Sequence, residues 1–148
     1  MSNNDLYGVK EWPLVCIYTN SSAQSVASGS TTRVKFDTVE LDQSGITENF
    51  GVGVYTFMVN RTGKLEILFT TNLSITGGSF QGLYLYKNSV LQTISETRAG
   101  SSVSMSLNWI YQCTAGDVLH LEAYLNGSSP SLGFSNINNR LVFIYHAN

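Results

Sequence analysis

The sequence predicts an all-β domain, a sandwich or barrel of about ten short antiparallel strands, and three observations carry that expectation. Only 12% of the 148 residues are charged, while 43% are hydrophobic and 11% aromatic, so the chain can bury a core and is not a disordered polyampholyte. Small polar residues stand in for charge. Ser, Thr and Asn are abundant and 13 Gly face only 2 Pro, which is a turn-and-strand composition rather than that of helices. Finally, apolar residues recur at every second position in several segments, and none shows i, i+3, i+4 spacing over three or four helical turns. The length fits one domain, without room for two.

In chain order, residues 1–12 are polar and read as a short N-terminal arm, with one domain over 13–148. Leu14 to Tyr18 is a brief apolar strand, and Thr19 to Thr32 a long loop of small residues with five serines and Gly29. From Arg33, Val34 and Phe36 alternate with polar neighbours; beyond Thr38 the apolar phase moves to Val39 and Leu41, as a bulge would move it. Gln43 to Thr47 is a turn and Val54 to Val59 a strand. Asn60-Arg61-Thr62-Gly63 reads as a tight connection into a strand carrying Leu65, Ile67, Phe69 and Thr71. Gly77-Gly78 reads as a break. Leu83 to Tyr86, the turn Lys87-Asn88-Ser89 and Val90 to Ile94 follow as strand, turn and strand. Ser104 to Cys113 alternates with Met105, Leu107, Trp109, Tyr111 and Cys113 on one face, which assigns Trp109 to the core. Thr114-Ala115-Gly116-Asp117 then turns into Val118 to Leu125, Asn126 to Asn139 is a loop, and Leu141 to His146 is the last strand.

Eight basic and ten acidic residues give a net charge of -2 and are scattered singly, so no stripe awaits a phosphate backbone and nucleic acid is not an expected partner. No apolar stretch is long enough for a helix to span a bilayer, and the start of the chain has no secretory pattern. Expression in a cytoplasm is the reading, and it makes Cys16 and Cys113 two buried thiols rather than a disulfide. No Cys or His spacing suggests zinc. His120 and Glu122 share a strand face and form the one acid/base pair worth weighing, but a single His-x-Glu on a strand commonly arises by chance. Asp37, Glu40, Asp42 and Asp117 supply carboxylates without the dense loop of a calcium cage. Asp117, following Gly116, reads as a turn-fixing residue. No catalytic residue, metal site or cofactor is expected, and the protein is expected not to be an enzyme.

The run Thr32 to Asp42, the strand opening Thr62-Gly63-Lys64-Leu65, the strand end Leu85-Tyr86-Lys87-Asn88 and Thr114-Ala115-Gly116-Asp117-Val118 together resemble the complement-q and tumour-necrosis-factor-like jelly roll. They are most similar to the versions found in bacteriophage particles, and the resemblance spans about Pro13 to Ala147. Two places depart from the family pattern: Asn60 to Leu65 lacks its Pro and Tyr, and Asn88-Ser89 replaces Asn-Gly. The resemblance implies a jelly roll of about ten strands assembling as a homotrimer, a binding or structural module rather than an enzyme. On the residues themselves, Leu83 to Tyr86 and Leu141 to Tyr145 are apolar on both faces, which marks either a subunit interface or a strand buried within one subunit. The interface reading is preferred because Tyr suits surfaces that are apolar yet keep one hydrogen bond. It makes Tyr84, Tyr86, Phe143 and Tyr145 the trimer-interface candidates, and Trp12 with Pro13 the candidates for docking a partner. The function expected is a virion capsid decoration (cement) protein, made in the host cytoplasm, that binds the major capsid protein or another virion protein. The alternative is a receptor- or glycan-binding head on a phage fibre or tail.

Overall fold

Eleven strands build the chain among the residues that the computed structural model describes, 13–98, 102–133 and 139–146. They are β1 (Leu14–Thr19), β2 (Gln24–Ser25), β3 (Thr31–Arg33), β4 (Thr38–Leu41), β5 (Ile46–Asn49), β6 (Thr56–Val59), β7 (Gly63–Lys87), β8 (Val90–Thr97), β9 (Val103–Cys113), β10 (Val118–Leu132) and β11 (Asn139–His146). All pairings are antiparallel. The 25-residue β7 organises the rest. Its first half lies between β11 and β9, with Leu68 opposite both Val142 and Asn108; its second half lies between β10 and β8, with Tyr84 opposite both Glu122 and Ile94. Two sheets result, β4-β1-β11-β7-β9 and β5-β6-β10-β7-β8, with β2 and β3 also pairing on β10. This is an all-β jelly-roll sandwich.

Between the sheets, alternate residues of each strand meet in an aromatic core. Tyr18 lies 4.8 Å from Phe57, Phe57 is 5.3 Å from Phe143 and 5.4 Å from Phe36, and Phe36 is 5.8 Å from Phe69, centroid to centroid. These five rings are fully buried and come from both sheets. Tilted and edge-on contacts of this kind suit the ring quadrupole, and removing one such side chain costs about 3–5 kcal/mol.

Three sequence expectations change on folding. The phase shift between Phe36 and Val39 is not a bulge in one strand. Residues 31–33 pair with β10 and residues 38–41 with β1, so the chain crosses from one sheet to the other between them. Gly77-Gly78 does not end a strand either. β7 runs through it as it changes sheets, with Gly77 at φ +62°, and a Cβ on Gly78 would fall 2.2 Å from the Ile75 side chain. Lastly, the stretch from Asn126 continues β10 to Leu132, where it pairs with Leu73 of β7 and Gln24 of β2. Small residues there mark close strand pairing rather than a loop: β10 stays paired with β7 through register shifts between Asn126 and Ser131, and a Cβ on Gly127 would fall 2.9 Å from the Gly78 Cα.

Candidate functional site: an apolar sheet face and a polar cluster on the opposite sheet

The outward face of the β4-β1-β11-β7-β9 sheet is apolar in rows that follow the register. Leu41, Ile17, Val142 and Leu68 lie side by side across four strands, and Val15, Ile144, Glu66 and Ile110 form the next row. Leu41 is 40% and Ile110 49% exposed; Ile17, Leu68 and Ile144 are half-buried and Val142 is covered by its neighbours. A solvated sheet face should be polar at these positions. Glu66 interrupts the second row between Ile144 and Ile110, and its Oε2 is 2.8 Å from the His146 Nε2.

This face corrects the sequence expectation by one residue. Phe143 and Tyr145, proposed for the subunit surface, point into the sandwich at 1% and 6% exposure. The Tyr145 hydroxyl donates to the Gly45 carbonyl at 2.7 Å, and burial, followed by the nearby Cys113, pushes its pKa up to about 12. Val142 and Ile144, between them in sequence, carry the outer face instead. Both faces of β11 being apolar, alternation alone does not say which is inside. Trp12 and the arm lie outside the described residues; Pro13 is exposed.

Tyr84 and Tyr86 do face outward, on the second sheet, and both are half-buried. The Tyr84 ring lies across Gly82, where a Cβ would meet its hydroxyl at 2.5 Å, and that hydroxyl donates to Glu96 Oε1 at 3.1 Å. Burial, followed by Glu96, pushes the Tyr84 pKa up to about 12. Tyr86 stacks flat on His120, with centroids 4.8 Å apart and planes 6° from parallel. His120 is only 6% exposed. Its Nε2 is 3.1 Å from Arg33 Nη2 and 3.3 Å from Glu122 Oε1. Burial, reinforced by Arg33, lowers the His120 pKa against the opposing pull of Glu122.

Among the described residues no three His, Cys, Asp or Glu side chains come together to hold a metal. Asp37 closes a loop by accepting from Ser21 N at 2.8 Å, Ser21 Oγ at 2.9 Å and Thr38 Oγ1 at 2.9 Å, with Lys35 Nζ at 3.1 Å. Asp117 accepts from Thr114 N and Asn88 Nδ2, both at 3.0 Å, as a turn-fixing residue should. Burial raises each carboxyl and these donors outweigh it, so both pKa values fall below the ordinary range. Cys16 and Cys113 are free and buried. Trp109 is half-buried against the core and stacks on Tyr111 at 4.1 Å. A groove of about 380 Å³, lined in part by Asn72, Ser74, Ser102, Ser104 and Ser131, opens where the end of β10 pairs with β7 beside the start of β9.

No family model matches the sequence, and no curated protein matches it. Solved structures do. The crystal structure of murine APRIL at pH 5.0 superposes with a TM-score of 0.68 at 14% identity, covering 90% of this chain and 98% of that one. Eiger TNF from S. frugiperda gives 0.69 at 10% identity, covering 93% and 95%. At these identities the likeness is one of fold alone: the chain folds like the tumour-necrosis-factor-like jelly rolls.

Proposed function

We propose that this chain is a non-enzymatic virion protein of a bacteriophage that assembles as a homotrimer and binds the outer capsid surface as a decoration protein. The observation that carries self-association is the outward face of the β4-β1-β11-β7-β9 sheet. The exposed Leu41 and Ile110 and the half-buried Ile17, Leu68 and Ile144 form, around the covered Val142, an apolar surface that a second copy of the chain would cover. Three copies follow from the resemblance to tumour-necrosis-factor-like jelly rolls, and the phage particle from the similarity of the Thr32 to Asp42 and Thr114 to Val118 runs to the phage versions. The partner in this reading is the major capsid protein, or another virion protein, met near the exposed Pro13.

Light scattering on the purified chain is expected to give about three times 16.2 kDa; a clean monomer at micromolar concentration overturns the assembly. Capsid placement predicts saturable binding to intact phage shells stripped of the protein, and binding to tails alone overturns that part. A second reading, a receptor- or glycan-binding head, is favoured by the outward Tyr84, Tyr86 and Tyr124 of the other sheet, since half-buried aromatic rings suit sugar faces. Glycan-array binding lost in Tyr86→Ala supports it.

A further inference from the structure

His120 sits between a cation and an anion that compete for the same nitrogen. A guanidinium donates hydrogen bonds and accepts none. The 3.1 Å contact from Arg33 Nη2 therefore requires Nε2 to be the acceptor, with the imidazole neutral and its proton on Nδ1. In that state Nε2 and Glu122 Oε1, 3.3 Å apart, are two acceptors facing each other. Protonation reverses the pairing. Nε2 then carries a hydrogen that Glu122 accepts, while the Arg33 guanidinium faces a second cation. The remaining titratable group against the ring is Tyr86, stacked from β7, whose hydroxyl burial and then Glu122 push upward so that it stays neutral. Glu96 of β8 is held one row away by Tyr84.

Arg33 has a second hand. Its Nη1 donates to the Val54 carbonyl at 2.8 Å, reaching the β5–β6 turn from outside that hairpin. The turn has the features of a segment that needs holding: Val52 is 95% exposed, Gly53 lies at φ +76° and Tyr55, not a glycine, at φ +38°.

We propose that Arg33, His120 and Glu122 form an acid-sensitive latch on the outward face of the second sheet, closed on the β5–β6 turn while His120 is neutral and released when it is protonated. At neutral pH, Arg33 bridges the His120 Nε2 and the Val54 carbonyl. In acid, the imidazolium takes the Glu122 carboxylate, which in the closed latch also lies 4.0 Å from Arg33 Nη2, and repels Arg33, and the turn loses its tether. The sign follows from linkage: the closed latch disfavours the imidazolium, so protonation disfavours the closed latch. Burial, the larger cause of the lowered pKa, acts on the ring with the latch closed or open; only the difference in His120 pKa between those two states counts, each unit of it a tenfold fall in the closed-to-open ratio on protonation. The latch stands apart from the proposed assembly face, so it does not depend on the oligomeric state.

The test is an NMR pH titration of the full chain, following the His120 ring protons and, with His146 as reference, the exchange protection, corrected for intrinsic rate, of the Val54 amide, which donates to the Gly51 carbonyl at 2.8 Å inside the turn and so reports whether the turn that Arg33 holds stays closed. His120 is expected to titrate below the ordinary histidine midpoint, and Val54 protection to fall along the same curve. His120→Gln, which still offers Arg33 an acceptor, is expected to keep Val54 protected at every pH. Arg33→Gln, which removes the tether but leaves the Val54–Gly51 bond, is expected to give Val54 a lower protection that no longer changes with pH. The latch is overturned if Val54 is unmoved while His120 titrates, if Val54 tracks His146 instead, if His120 stays neutral to the acid edge of the folded range, or if His120→Gln retains the pH response. Should His120→Gln not fold, a Val54 response that persists in Arg33→Gln overturns it equally.

Discussion

The Tyr145 hydroxyl donates to the Gly45 carbonyl at 2.7 Å inside the subunit, while Ile144, the preceding residue, faces outward beside Glu66 of β7. Tyr145→Phe is therefore expected to destabilise the fold by about 0.5–1.5 kcal/mol, because it removes one of two hydrogen bonds to the buried Gly45 carbonyl, which keeps the one from Asn60 N at 3.1 Å, and to leave the oligomeric mass unchanged. Denaturant midpoints and light scattering read the two effects separately. Dissociation without loss of stability would return Tyr145 to the interface.

Ile144→Glu acts on the other face of the same strand. It sets a carboxylate opposite Glu66 in the middle of the apolar rows, where covering by another copy would bury two like charges. The expected outcome is a monomeric mass with the β-type circular dichroism retained. An oligomer that survives this change sinks the assembly surface.

Asp117 should give stability an acid limb. Its folded pKa lies below the unperturbed 3.8, because the bonds from Thr114 N and Asn88 outweigh burial. The contribution is complete above 3.8 and is lost as pH falls through the lower folded value. Asp117→Ala is expected to cost about 1–2 kcal/mol at neutral pH. Its stability curve should converge on that of the parent in acid, and parallel curves across the acid range contradict the assignment.

Ser89 occupies the left-handed region at φ +65°, following Asn88 at φ +48°, in the β7–β8 turn. Both positions of a two-residue hairpin turn of this kind favour Gly or Asn. Ser89→Gly is expected to stabilise by about 0.5–1 kcal/mol, measured as a raised denaturant midpoint with unchanged slope; a destabilised variant would show that the Ser89 side chain has another role.

Cys16 and Cys113 are buried and unpaired. In the native protein neither should react with iodoacetamide on the timescale that modifies both in denaturant, by intact mass. An unreactive, oxidised pair in denaturant contradicts this.

Much of the fold was legible because strand alternation is a local property. The Ser104 to Cys113 pattern became β9 with Met105, Leu107 and Cys113 inside, and Thr114 to Asp117 became the turn its residues suggest. Where the sequence reading went astray, the cause was long-range. The same phase shift after Phe36 fits a bulge or a change of sheet, and the pairing of residues 31–33 with β10 and 38–41 with β1 decides between them. Small residues at Gly77-Gly78 and Asn126 to Ser129 read as breaks, yet there β7 and β10 stay paired through register shifts, with Gly78 and Gly127 too close together for longer side chains.

By itself the sequence determined an all-β domain with strands close to their observed places and some strands apolar on both sides. It also brought His120 and Glu122 to one strand face. Only the tertiary structure decided which side of β11 is core, since Leu141, Phe143 and Tyr145 are as apolar as Val142 and Ile144, and the choice is made by the rings of Tyr18 and Phe57 packing against Phe143. It alone brought Arg33, 87 residues away in sequence, to His120. Period-two patterning records that a strand has two faces; which one is buried depends on what the opposite sheet presents to it.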